Sequence, residues 1–115
     1  MVGRAERDGR WWYYLDDGVY GSFSGQLCDH ARYPLASLRS DGPRSPSVLA
    51  GPTCDSIDVI AEDLMLPRLE IGDLIVGRMM GAYTIASASD FNFVRRARVV
   101  PVNVAGETAV RELAR

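Results

Sequence analysis

A chain of 115 residues is long enough for one domain, and its 47% hydrophobic content supports a buried core rather than disorder. The net charge of −2 lacks the basic footprint of a protein that binds nucleic acid or an anionic membrane, so neither partner is expected. No apolar run approaches the roughly 20 residues of a membrane span, and MVGRAERDGR shows no apolar stretch behind its charges, so no secretory signal is expected either.

After ten mostly charged residues, WWYYL (11–15) combines aromatic character with high β-propensity and is expected to be a core strand. Asp16-Asp17-Gly18 supplies turn chemistry, and VYGSFSGQL (19–27) is expected to return as the second strand of a hairpin. Residues 28–47, rich in Pro, Gly, Ser, Arg and Asp, predict a long exposed connection. VLAG (48–51) predicts a short strand running into Pro52, Thr53 and Cys54. DSIDVIAEDLMLP (55–67) fits either a helical turn or an irregular strand. A further strand is expected over 73–80, then a tight or single helical turn over 81–91. ARVVPVNV (97–104) predicts another strand, with Pro101 marking an edge or bulge. GETAVRELAR (106–115) suggests a closing short helix. Short strands separated by turn signals give an all-β fold, sandwich-like or a barrel, in a single domain over 1–115.

Two residue patterns carry chemistry. Cys54-Asp55 follows Gly51-Pro52, at an irregular strand end where functional side chains are often presented. A buried structural cysteine beside a turn aspartate is the commoner arrangement, and on these residues alone both readings stand. Cys28-Asp29-His30 and Cys54 match no zinc spacing, so no metal site is expected. Two cysteines do not make a disulfide framework, and reduced thiols in a cytoplasmic setting are the expectation. All 13 basic residues are arginine. Codon bias is the expected cause, and the chemical consequence stands whatever the cause: no side chain here can form a Schiff base with a carbonyl cofactor.

Three stretches, taken in order, resemble the signatures of one family. They are Asp17-Gly18-Val19-Tyr20-Gly21-Ser22-Phe23, Gly51-Pro52-Thr53-Cys54-Asp55-Ser56 and Met80-Gly81-Ala82-Tyr83-Thr84. IGDLIVGRMMGAYT (71–84) and DFN (90–92) extend the likeness to about 11–104. The family is the alanine-racemase-like, pyridoxal-phosphate-dependent decarboxylases of ornithine, lysine, arginine or diaminopimelate, which serve polyamine biosynthesis among other routes. Only the C-terminal, Greek-key β-barrel-like domain is resembled, and the N-terminal barrel that carries the cofactor's lysine has no counterpart in these 115 residues.

The resemblance implies roles residue by residue. Cys54 matches the cysteine that reprotonates the α-carbon after carbon dioxide leaves, which suits a thiol, since thiols as a class hold their proton at neutral pH. Asp55 matches the carboxylate that receives the substrate's distal ammonium, and Asp29 a second carboxylate near it. Tyr83 matches the tyrosine that binds the cofactor phosphate. Tyr20 and Phe91 match aromatics at the two-fold interface of a head-to-tail homodimer. There are departures. Cys28 replaces an aromatic common in ornithine decarboxylases, and Asp90-Phe91-Asn92-Phe93 lacks the glycine usual after the asparagine. Aspartate at position 55, where diaminopimelate enzymes place glutamate, favours ornithine or lysine as substrate. The chain is therefore expected to be inactive alone and to need a cofactor-binding barrel. A non-catalytic binding or regulatory protein that retains only this domain is the alternative.

Overall fold

The computed structural model describes residues 1–103. Within them a four-stranded sheet is ordered β1-β2-β4-β5 and a two-stranded sheet pairs β3 with β6. The strands are β1 (Gly3–Arg7), β2 (Arg10–Tyr14), β3 (Leu35–Ser37), β4 (Arg44–Ala50), β5 (Val59–Pro67) and β6 (Ile75–Gly77). Two four-residue helices complete the regular structure, α1 (Gly25–Cys28) and α2 (Thr84–Ser87), followed by a 3-10 turn over Phe91–Phe93. The fold is thus mostly sheet with two short helices. It is sandwich-like, and the two sheets do not close into a barrel.

The hairpin lies earlier than the sequence suggested. β1 and β2 pair antiparallel from Gly3↔Tyr14 to Arg7↔Arg10, leaving Asp8-Gly9 as a two-residue turn. Both turn residues have positive φ, 51° and 73°, as a type I′ hairpin turn requires. Asp17-Gly18 makes a different structure. The Asp17 carboxylate accepts the N–H groups of Gly18 and Ser22, and the Gly18 carbonyl accepts those of Gly21 and Phe23. These local bonds occupy groups that a strand would give to a ladder, so 19–27 coils into turns and α1 instead of forming the expected strand.

The ambiguous segment 55–67 resolves as β5, antiparallel to β4. The predicted strand 48–51 is the end of the longer β4, and 73–80 contributes only β6. Segment 28–47 is less featureless than expected, since it holds β3 and the start of β4. Residues 97–103 form no strand: none of the described residues pairs with them, and Val99, Val100 and Val102 stay exposed. Residue 104 and the expected helix over 106–115 lie outside the described residues.

The core comprises Met1, Tyr13, Leu15, Val19, Phe23, Leu49, Ile60, Leu66 and Leu69. Alternation along β2 places Tyr13 inside, while Trp12 and Tyr14 turn to the opposite face beneath the Arg7 guanidinium, at 5.2 and 5.9 Å. The expectation that WWYYL is core therefore holds for one face of the strand. The Tyr13 hydroxyl accepts the Leu69 N–H at 3.1 Å, tying β2 to the segment after β5. Leu49 is fully buried at the centre of this cluster. Leu49→Ala is expected to lower the unfolding free energy by about 2–5 kcal/mol, measured by urea denaturation.

The register of the central pair positions the site. β2 runs parallel to β4, with Tyr14 beside Ala50, and the Leu15 N–H donates to the Ala50 carbonyl at 2.8 Å. Parallel neighbours end on the same edge. The loops that follow them, 16–24 and 51–58, therefore emerge side by side although residues 25–50 separate them in sequence. Register irregularities between Ser47 and Ala50 bend β4 as it enters the second loop.

Candidate functional site at the edge of the sheet

Three of the residues singled out from the sequence meet where these loops emerge. The Tyr20 hydroxyl donates to Asp55 Oδ2 at 2.5 Å, and its ring stacks on Phe91 with centroids 4.1 Å apart. The loop that follows Asp55 turns back on it, and the Ile57 N–H donates to Asp55 Oδ1 at 3.1 Å. Each carboxylate oxygen thus has one donor and keeps lone-pair capacity for another. Cys54 is exposed, with Asn92 Nδ2 donating to its sulfur at 3.4 Å. A buried structural cysteine does not describe it.

The third motif reaches the same edge through backbone contacts. Ser24 Oγ donates to the Thr84 carbonyl at 3.1 Å and lies 2.7 Å from Ser87 Oγ, and the Ser89 N–H donates to the Tyr20 carbonyl. Tyr83 stands just before α2 with 72% of its surface exposed. Asp29 is exposed at the end of α1 and forms no side-chain hydrogen bond or ion pair among the described residues. Among the described residues no side-chain hydrogen bond or ion pair joins Asp29 or Tyr83 to Tyr20, Asp55 or Cys54. Cys28 is a free, exposed thiol. Among the described residues no group of three His, Cys, Asp or Glu side chains could hold a metal ion, and no helix is long and apolar enough to cross a membrane.

Two residues of the site were not read from the sequence. Asn92 lies in the quoted DFN stretch, but its contact with Cys54 depends on a left-handed backbone (φ 55°) that only the folded loop reveals. The adjacent Phe93 is also left-handed (φ 58°), at the point where the glycine is missing, and its side chain is 97% exposed. Asp58 is the other. It is 2% exposed, its Oδ1 accepts the Val19 N–H at 2.9 Å, and its Oδ2 accepts the Thr53 N–H and hydroxyl at 3.0 and 2.6 Å. Gly18 and Gly51 flank this carboxylate so closely that a Cβ on either would overlap it.

The electrostatics follow from the hydrogen bonds. The Tyr20 phenol is pushed up to about 12, first by its bond to Asp55 and then by burial and the nearby carboxylates. Asp55 is held below its ordinary value, chiefly by the same phenol and then by the Ile57 N–H. Asp55 is therefore charged throughout the neutral range. The folded pKa of Tyr20 is raised, so its contribution to stability is complete below about pH 10 and is lost as pH rises toward 12. The folded pKa of Asp55 is depressed, so its contribution is present above pH 3.8 and is lost as pH falls through its folded value. Tyr20→Phe is expected to abolish the alkaline part of this dependence and shrink the acid part, as thermal unfolding across pH would record.

The chain matches the family model described as "Pyridoxal-dependent decarboxylase, C-terminal sheet domain" over residues 1–81. It is 46% identical over 92 residues to a lysine/ornithine decarboxylase of Selenomonas ruminantium, covering 80% of this chain and 23% of that protein. It is 50% identical over 84 residues to antizyme inhibitor 2 of Xenopus laevis, covering 70% of this chain and 18% of that protein. Among solved structures, the lysine/ornithine decarboxylase of Vibrio vulnificus complexed with cadaverine superimposes with a TM-score of 0.88 at 60% identity, covering 90% of this chain and 28% of that one. The matched region thus spans less than a third of each of these relatives.

Proposed function

This chain belongs to the pyridoxal-dependent decarboxylase family through its C-terminal sheet domain, and from that membership we propose that it supplies the second half of a lysine- or ornithine-decarboxylating active site. The observation that carries the proposal is the exposed Cys54 beside a charged Asp55 whose carboxylate is already oriented by Tyr20. In the assembled enzyme Asp55 receives the distal ammonium of the diamino acid, with Asp29 as a second carboxylate close to it. Cys54 holds a proton on its sulfur and delivers it to the substrate α-carbon once carbon dioxide has left. The Tyr83 hydroxyl, free on the surface, contacts the cofactor phosphate. Tyr20 and Phe91 line the two-fold interface of a homodimer, across which Cys54 and Asp55 reach the neighbouring protomer's site.

The residues present fit one edge of pyridoxal phosphate and do not fit its attachment, because the chain contains no lysine. When bound, the cofactor supplies the electron sink for loss of the carboxylate. That part of the chemistry is assigned to a cofactor-binding barrel, so the 115 residues alone are inactive. The cytoplasm suits a site that depends on a free, exposed thiol. Borohydride reduction with added pyridoxal phosphate, followed by peptide mapping, tests the division. The isolated chain is expected to give no stoichiometric adduct at any side chain, and one at a defined internal residue would contradict the reading.

A second reading is favoured by the match to antizyme inhibitor 2, a relative whose name denotes a regulator rather than a decarboxylase. In that case the same surface binds a protein partner and Cys54 has no chemical duty. The two readings separate in a chimera in which this chain replaces the corresponding segment of the Vibrio vulnificus enzyme. Turnover of lysine or ornithine supports the first reading. A folded, cofactor-loaded chimera that releases no carbon dioxide supports the second.

A further inference from the structure

We propose that Asp58 is a positioning residue for the Tyr20–Asp55 pair, its buried carboxylate clamping the loop of Tyr20 to the loop of Asp55. Four observations support this. Asp58 lies only three residues beyond Asp55, yet it faces inward where Asp55 faces the surface. One of its oxygens takes a backbone N–H from the first loop, at Val19, and the other takes two donors from the second loop, at Thr53. Val19 immediately precedes Tyr20, and Thr53 immediately precedes Cys54. Gly18 and Gly51 leave the space the carboxylate fills, and a Cβ on Gly18 would also stand 2.9 Å from the Gly51 backbone.

The physical reason for a carboxylate is its donor count. Three donors converge from two loops, and an aspartate accepts through both oxygens, whereas an asparagine of the same shape presents an NH2 group to one side. Whichever way that amide turns, either Val19 or Thr53 faces a donor instead of an acceptor. Leaving a buried backbone N–H without a partner is unfavourable, so the affected loop moves. Because Tyr20 and Asp55 sit on different loops, their short contact depends on the registration that Asp58 maintains.

The catalytic meaning of this clamp rests on the proposed role of Asp55, but the clamp itself is testable in the 115-residue chain without cofactor or substrate. The experiment is a titration of Asp58→Asn, followed by NMR at the Asp55 carboxyl carbon and the Tyr20 ring. Asp55 is expected to rise toward its ordinary 3.8, and Tyr20 to fall from about 12 toward 10.0. The sign at Asp55 is decisive, since merely deleting a negative neighbour would lower that titration rather than raise it. A folded Asp58→Asn chain in which Asp55 is unchanged or lowered overturns the proposal. Should that variant not fold, Thr53→Val removes one of the three bonds with no change of charge. It is expected to move both titrations in the same directions by less, and wild-type values in it overturn the proposal equally. Failure here would leave the decarboxylase reading untouched. Conversely, a clamp confirmed in a chimera without turnover would leave only the catalytic reading refuted.

Discussion

In a chimera in which this chain replaces the corresponding segment of the Vibrio vulnificus enzyme, Cys54→Ala is expected to lower kcat on lysine or ornithine by about 10²–10⁴-fold, the usual worth of a positioned general acid. In the proposed role Cys54 acts after the carboxylate has gone. The ratio kcat/KM reports only the steps up to the first irreversible one, which is carbon dioxide loss, so it should fall much less than kcat, and KM should fall with it. A rapid-mixing experiment should show a burst of carbon dioxide followed by a slow steady state. Equal falls in kcat and kcat/KM would place Cys54 at or before carbon dioxide loss. The Asn92 contact suggests how the sulfur is aimed, since a side-chain N–H directed at it favours one rotamer of the thiol.

Asp55→Ala should act on the other parameter. If Asp55 receives the substrate's distal ammonium as proposed, removing the carboxylate strands that charge, and kcat/KM for lysine and ornithine is expected to fall on the order of 30-fold or more. The control is an amino acid of the same length that ends in a methyl group. It has no ammonium to lose, so its slow turnover should be unaffected by the substitution. Asp55 starts with an advantage over an unrestrained surface carboxylate, because the Tyr20 hydroxyl and the Ile57 N–H fix its orientation before substrate arrives. If the diamino acid and the methyl analogue lose activity equally, Asp55 supports the fold and not the choice of substrate.

The parts of this molecule that were readable from sequence are those governed by local chemistry or by a distinctive motif. Residues 11–14 of WWYYL are in a strand, the β4 end at 48–50 is a strand, and Gly51 to Ser56 is an irregular loop that presents a thiol. The hairpin was misplaced because Asp-Gly recurs along the chain, at 8–9, 17–18 and 41–42. At Asp8-Gly9 it makes the type I′ turn, while at Asp17-Gly18 the Asp17 side chain captures its own backbone. β1 escaped notice because Gly3–Arg7 alternates charges where a strand usually alternates apolar residues. That is how an edge strand guards against unwanted pairing.

The candidate site divides in the same way. Cys54, Asp55, Tyr20 and Phe91 could be named from motifs, but the Tyr20–Asp55 contact depends on the parallel β2–β4 register, a pairing with no local signature. Asp58 was missed for a related reason: it looks like any loop aspartate until the fold buries it between Val19 and Thr53.

Carbon dioxide release from lysine or ornithine, measured on the 115-residue chain with added pyridoxal phosphate and on the chimera, tests the central claim most directly. The chain alone should release none above buffer, because it has no lysine to hold the cofactor, while the chimera should turn over both substrates. Sustained release by the chain alone, or a folded and cofactor-loaded chimera that releases none, would contradict the account.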